Sequence, residues 1–367
     1  MKVVGIVCEY NPFHNGHLYH LQKAKELAGD GIVVAILTGY FSMRGDISVL
    51  NKLDKIKVAI EHGVDITIEL PYLLGTQNAD IFAYNAVKLL NKIGVTDIVA
   101  GSETNDLELI KKIALLEENR SFHYGLKKHL REGCSYRKSY SLTLEENGIL
   151  ISSNDMLNIK YYQAIKQINP NINFSLIKRL NNDYLDTTIN DSNIQSATAI
   201  RLLDNIENYV PRVVNDIFIN KGFYNINNFT LILKHLILTQ DLSKTFQASE
   251  GIENLFNSNF TSVDELVNNL TNKRYTKSRI KRFVTYILTQ TLKEELSFTD
   301  EPVLRVTGFN EEGRKYLNKN KKDTTYFTRL IGGINSVYDK ELMIAKIFSN
   351  IYNEDFIKIE QSLPYIK

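Results

Sequence analysis

Apolar residues in the first half of the chain come in short runs separated by helix-period stretches. Val3–Cys8, Ile32–Leu37, Ile66–Leu70, Asp97–Ala100 and Phe174–Ile177 are mostly apolar and rich in Val and Ile. Such runs predict strands buried on both faces, as in a parallel sheet. Between them lie His17–Ala28, Leu53–His62, Ala79–Ile93 and Asp155–Ile168, which read as helices. In the first of these Leu18, Leu21, Ala24 and Leu27 mark one face, and Gly29 or Gly31 stops it. Strand and helix in alternation argue for an α/β fold with a doubly wound parallel sheet. Ligands in such sheets bind beyond the carboxyl ends of the strands.

The pattern changes twice more. From about 106 to 149 the chain reads as a charged, helical insertion between the fourth and fifth strands. After about Asp204 it reads as helices with little strand signal, and from Pro302 "VLRVTGFNEEGRKYL" reads as strand, turn and helix. The expected division is an α/β domain over 1–205, a helical region over 206–300 and a small α/β unit over 301–367.

At 367 residues and 43% hydrophobic content the chain is long enough for two or three domains with real cores. A net charge of +2 means that any nucleic-acid contact must come from a local patch. Cys8 and Cys134, far apart in so long a chain, suggest a reducing compartment and no disulfide framework. "MKVVGIVCEY" is not a convincing signal peptide, and no apolar run is long enough to span a membrane. A cytoplasmic location is expected.

The candidate chemistry starts where the first strand hands over to the first helix, at "EYNPFHNGHLYH" (Glu9 to His20). The chain has seven histidines, and His14, His17 and His20 fall here within seven consecutive residues. A metal site, turn histidines without a task, and anion binding are the readings. Residues six apart lie roughly 240° apart around a helix, so the three histidines cannot converge as metal ligands, and no metal is expected. Anion binding fits better. Asn15-Gly16 permits a close backbone approach, and the helix that follows aims its free N–H groups and positive dipole end at a phosphate. Two imidazoles at that mouth can stabilise charge that builds up in a transition state.

His14-Asn15-Gly16-His17 matches the H-x-G-H signature of the nucleotidylyltransferase superfamily. The longer "GIVCEYNPFHNGH" resembles the bacterial tRNA(Met) cytidine acetate ligase family, with further matches along the whole chain. The resemblance implies an ATP-dependent enzyme that activates acetate as acetyl-adenylate, releases pyrophosphate and acetylates the wobble cytidine of elongator tRNA(Met) at N4. It implies His14, His17 and Arg201 as catalytic residues. It places Val7, Glu9, Tyr10, Asn11, Pro12, Phe13, Asn15, Gly16 and His20, with the two histidines, on the nucleotide. Mg2+ is expected with the ATP, without a dedicated carboxylate cage, and no obligate protein partner is evident. A small-molecule nucleotidylyltransferase and a non-catalytic nucleotide- or RNA-binding protein are the alternatives.

Other stretches add to this. In "IQSATAIRLLD", Ser196, Thr198 and Arg201 are similar to the second superfamily signature, I-S-S-T-x-I-R, which holds the β- and γ-phosphates; Ala197 replaces its second Ser. Locally the same residues read as a capped helix start. The resemblance also implies nucleotide contacts for Gly101 in "DIVAGSE", for Asn154 at a helix start and for Arg179; Lys178 beside it, at the end of the fifth strand, faces the same ligand crevice, a solvated basic pair being the alternative. In "LTGYFSMRGDISVL" Arg44 and Gly45 fit the family's G-N-F-x-Q-R-G loop, but Tyr40 and Met43 stand where Asn and Gln are usual. Glu9 and Asp46 are candidate bases for the N4 proton by proximity. "NKRYTKSRIKRFVTY" carries Lys273, Arg274, Lys277, Arg279, Lys281 and Arg282 with Tyr275 and Tyr286. The cluster suits a phosphate backbone, and a tyrosine there suits an unpaired base; the alternative is a solvated helix face.

Overall fold

The computed structural model describes the whole chain apart from residues 152, 181–192, 297–302 and 333–335. In chain order the first half runs β1 (Val3–Cys8), α1 (Asn15–Ala28), β2 (Ile32–Thr38), α2 (Lys52–Glu61), β3 (Ile66–Leu70), α3 (Tyr72–Gly75), α4 (Ala79–Ile93), β4 (Asp97–Ser102), α5 (Leu107–Leu116), α6 (Arg120–Arg131), α7 (Tyr136–Glu146), α8 (Ser153–Ile168) and β5 (Asn173–Lys178). These five strands pair in parallel, as the apolar runs predict. The strands alternate their side chains between two cores. Val34 and Ile36 face the layer with Leu89, Leu90 and Ile165, while Val33, Ala35 and Leu37 face Leu21, Ala24 and Ile60. Each of these buried Val, Leu and Ile side chains contributes roughly 1.5–3 kcal/mol.

The second half supplies α9 (Ala197–Ile200), α10 (Arg212–Lys221), α11 (Thr230–Thr239), α12 (Val263–Leu270) and α13 (Lys277–Leu288), then β6 (Leu304–Phe309), α14 (Glu311–Lys319), β7 (Tyr326–Phe327), α15 (Ser336–Tyr352), α16 (Phe356–Gln361) and β8 (Tyr365–Ile366). The strand order is β5-β4-β1-β2-β3-β6-β7, with β8 paired to β6. The strand predicted after Pro302 therefore does not start a sheet of its own: β6 lies antiparallel to β3 and extends the first sheet. A local apolar run carries no mark of its pairing partner, which is why the hydrophobic pattern alone sets this strand apart.

A buried ion cluster fastens this C-terminal addition. Lys52 on α2 pairs with Glu69 on β3, Glu341 on α15 (2.6 Å) and Glu360 on α16 (2.7 Å), and Arg305 on β6 pairs with Glu69 (2.6 Å) and Glu360 (2.5 Å). Glu69, Glu341 and Glu360 stand close enough together to hold a metal ion, but the two cations already fill that role. Burial pushes the Glu341 carboxyl up, against the pull of Lys52. Tyr40 joins through its hydroxyl, which donates to Glu360 (2.5 Å), and its ring lies 4.2 Å from the Lys52 ammonium. The residue that departs from the family loop is thus 2% exposed and faces the core.

Candidate functional site

The chain runs from β1 to β2 and β3 on one side, then returns to place β4 and β5 on the other. The carboxyl ends of β1 and β4 are therefore the topological switch point of the sheet, where a crevice opens. A cleft of about 1300 Å³, mouth included, occupies it. Val7 and Glu9 at the end of β1, His14, Gly16, His17 and His20 around the start of α1, Gly101 on β4, and Lys178 and Arg179 at the end of β5 all line it, as does Ser196.

The start of α1 is built around His14. Its Nδ1 accepts from the Gly16 N–H (3.0 Å), which caps the helix. The neutral ring therefore carries its proton on Nε2, the atom left free to donate. Gly16 has to be glycine: a Cβ there would lie 2.9 Å from the His14 ring. His17, one turn on, stacks against His14 with ring centroids 3.8 Å apart. Burial pushes the His14 imidazole down to about 3 and that of His20 to about 4, helped by the Arg179 charge. Burial, then the neighbouring His14, lowers His17 as well. Buried nitrogens that lack a hydrogen-bond partner, Nδ1 of His17 and Nε2 of His20, add a second observation. Orphaned polar atoms at a helix N-terminus mark a place for a polar ligand.

The other wall comes from the loop after β2. Met43 and Arg44 line the cleft, and the Glu9 carboxylate accepts from the Met43 N–H (2.7 Å). Burial pushes the Glu9 carboxyl up, against the pull of that N–H and of Arg44. The hydroxyl of Ser196 caps the short α9, accepting from the Ala199 N–H (3.0 Å). Arg201 spans from α9 to the loop of the first motif, donating to the Asn11 carbonyl (2.7 Å) and to the Thr198 hydroxyl (3.2 Å). The two motifs are thus fastened together at the site.

Several residues expected on the nucleotide lie behind the wall instead. Tyr10, at a φ of 47°, and Phe13 are each 1% exposed and pack edge to face. Asn11 bridges to the loop after β2, donating to the Ile47 carbonyl and accepting from the Val49 N–H. Asn15 donates to the carbonyls of Asn193 and Asn208. Pro12 is buried, and Thr198 and Arg201 do not reach the cleft lining. These side chains shape and stiffen the loop; the backbone, Gly16 and the histidines present it. Asn154 lies in the first turn of α8, and its side chain falls outside the described residues.

The sequence reading missed Asp155, Asn158 and Tyr161. Asn158 and Tyr161 line the cleft. Asp155 accepts from the Ser102 hydroxyl and the Thr104 N–H, and Asn158 donates to the Gly101 carbonyl (3.1 Å). Their spacing of three on a helix was the available signal.

The basic stretch divides. Lys273, Arg274 and Lys277 are exposed. Arg279 is tied to Glu250 (2.7 Å), Lys281 pairs with Asp46, and the Arg282 Nε is buried. Neither tyrosine is free to stack on a base. Tyr275 is 5% exposed beneath Arg274 and Arg279, and Tyr286 is fully buried, donating to the Thr76 carbonyl. Both rings belong to the core, Tyr286 from α13 and Tyr275 from just before it, its hydroxyl donating to the Glu250 carbonyl.

A doubly wound sheet with a histidine-bearing helix N-terminus and a hydroxyl-capped turn at its switch point defines a nucleotidylyltransferase. Residues 1–361 match the family HIGH Nucleotidyl Transferase. A tRNA(Met) cytidine acetate ligase of Caldicellulosiruptor saccharolyticus is 36% identical over 96% of this chain and 95% of its own length. One from Caldicellulosiruptor bescii is 38% identical, over 90% and 88%. Thermotoga maritima TmcAL superposes with a TM-score of 0.88 at 29% identity, covering 100% of this chain and 99% of its own. The same protein bound with alpha-thio ATP gives a TM-score of 0.86. The chain belongs to the HIGH nucleotidyl transferase family and, within it, to the tRNA(Met) cytidine acetate ligases. Among the described residues, no helix is long and apolar enough to cross a membrane.

Proposed function

We propose that this protein is an ATP-dependent ligase that activates acetate and acetylates N4 of the wobble cytidine of elongator tRNA(Met). The observation that carries the reading is the neutral, closely apposed His14–His17 pair at the N-terminus of α1, inside the cleft at the sheet's switch point. In the first step an acetate oxygen attacks the α-phosphorus of ATP, the bond to the bridging oxygen breaks, and pyrophosphate leaves. His14 Nε2–H, the α1 amides, Lys178 and Arg179 surround the space where that charge grows, and positioning with charge neutralisation supplies the rate. In the second step the cytidine N4 attacks the acetyl carbonyl, AMP leaves, and N4 loses a proton.

Glu9 is the group to take that proton. It lines the cleft and its carboxyl is raised by burial. Burial also opposes the charge on Asp46, but Lys281, Arg201 and Arg44 hold its carboxyl below the ordinary range, which makes it the weaker base. Among the described residues lining the cleft, Glu9 is the one carboxylate. Mg2+ would therefore be held chiefly by the phosphates. The exposed Lys273, Arg274 and Lys277 offer contacts for the RNA backbone.

ATP–pyrophosphate exchange by the purified protein, with and without acetate, tests this. Acetate-dependent exchange is the expected result. Exchange that ignores acetate would fit a small-molecule nucleotidylyltransferase and overturn the ligase. Absence of exchange with acetate, both without and with tRNA(Met), would overturn acetyl-adenylate formation.

A further inference from the structure

Among the described residues, Lys55 is the one lysine whose ammonium sits wholly on backbone carbonyls at the roots of the site. It stands in the first turn of α2, 2% exposed. Its Nζ donates to the carbonyls of Glu9 (3.1 Å), Thr38 (2.6 Å) and Gly39 (3.1 Å). An ammonium has three protons and no acceptor, so three carbonyls use it completely. Neutral amine, methionine or leucine in its place cannot do this.

The three carbonyls are not scattered. β1 and β2 pair in register as far as Cys8 and Leu37. Glu9, Thr38 and Gly39 are the next residues, where the pairing of β1 with β2 ends; Thr38, still paired to Leu70 of β3, is the last residue of β2. From Glu9 the chain enters the histidine motif; from Gly39 it enters the loop that brings Met43 and Arg44 to the cleft. The Glu9 carboxylate bonds to the Met43 N–H on the cleft side. Lys55 makes the matching tie from below, between the roots of the same two segments.

We infer that Lys55 is a positioning residue of the adenylylation site, its ammonium fixing the segment that carries Glu9 and His14 against the segment that carries Met43 and Arg44. The inference rests on the proposed function for the identity of the reaction, but not for the geometry. Lys55 acts through the two loops and touches no reacting atom.

The charge is finely set. Burial pulls the Lys55 ammonium down to about 7, with Lys52 in the same direction; Glu9 and Glu69 work against it, and the Cys8 thiol, itself pushed up to about 12, is uncharged. Glu341 and Glu360 face Lys52 rather than Lys55. The clasp is complete below that pH and loses its third hydrogen bond as pH rises through it.

The test compares wild type with Lys55→Met, which keeps the stem and removes the charge. kcat/KM for ATP in the exchange reaction is measured from pH 6 to 9, and ATP affinity by calorimetry over the same range. Wild-type kcat/KM is expected to fall on the alkaline side. Lys55→Met is expected to be at least tenfold lower at pH 6.5 and to lack that alkaline fall. A folded Lys55→Met with wild-type values and the same pH profile overturns the inference. If the variant does not fold, Lys55→Gln, which keeps two donors without the charge, is measured in its place, and wild-type kcat/KM and ATP affinity in that variant overturn the inference. Wild-type protein that binds ATP but gives no exchange with acetate, either without or with tRNA(Met), would sink the proposed function, while the binding profile would still decide Lys55.

Discussion

His14 and His17 lie ring against ring, 3.8 Å between centroids and 31° between planes, at the mouth of one helix. Two imidazolium ions could not share that space; two neutral rings can, and burial keeps them so. The free protein thus holds an uncharged donor pair ready, and polyanion binding is what would draw protons onto it.

Replacing His17 with Ala should lower the exchange kcat by about 10²- to 10³-fold, the usual effect of losing one donor to a developing charge. The melting temperature should move by only a few degrees, because the ring is not needed to cap α1. Undiminished exchange by a folded His17→Ala protein would remove the histidines from the chemistry.

The same burial sets the response to acid. His14 is held at about 3 and His20 at about 4, against 6.5 for an exposed imidazole. Between about pH 4 and 6.5 the unfolded chain binds protons at these sites that the folded chain does not. Stability therefore rises with pH through this window and is complete above it. At pH 5.5 each histidine should cost about 1.4 kcal/mol relative to pH 7.5. Melting curves of wild type, His14→Asn and His20→Asn at both pH values check it; equal acid sensitivity in all three would refute the assignment.

Gly45 sits at a φ of 82°, and a Cβ there would lie 2.6 Å from the Arg282 nitrogen. Gly45→Ala should cost about 1–3 kcal/mol in denaturant unfolding and loosen the packing of the loop after β2 on α13. Unchanged stability would show that the loop can withdraw from the helix freely.

Removing one partner of the buried ion cluster leaves charge without compensation. Glu360→Ala strips both Lys52 and Arg305 of a carboxylate and Tyr40 of its acceptor. A loss of about 3–5 kcal/mol in unfolding free energy is expected. A loss under about 1 kcal/mol, the worth of an exposed pair, would mean that the cluster is not the fastening of the C-terminal segment.

Charge reversal of the exposed Lys273, Arg274 and Lys277 should weaken tRNA binding. It should also make the dependence of log affinity on log salt shallower by about 0.7–0.9 for each phosphate that is no longer neutralised. Binding measured over a series of salt concentrations decides this; an unchanged slope would place the RNA elsewhere.

The parallel core and the place of the site follow from the amino-acid sequence alone. Val3–Cys8 and Ile32–Leu37 were readable because a strand buried on both faces is a near-continuous apolar run, and that pattern is local. The helix start at His14 to His17 was readable because capping and close backbone approach are also written in neighbouring residues. Other features came only with the folded chain, because they depend on partners distant in sequence. β6 found β3 some 240 residues away, Tyr275 and Tyr286 were claimed by the core, and Tyr10, Asn11 and Phe13 became the frame of the loop rather than its surface. Lys55 shows the reason most plainly. Nothing in "NKLDKIKVAI" distinguishes it from Lys52 or Lys57, because the carbonyls that define its task come from two other strands and meet it only when the sheet has formed.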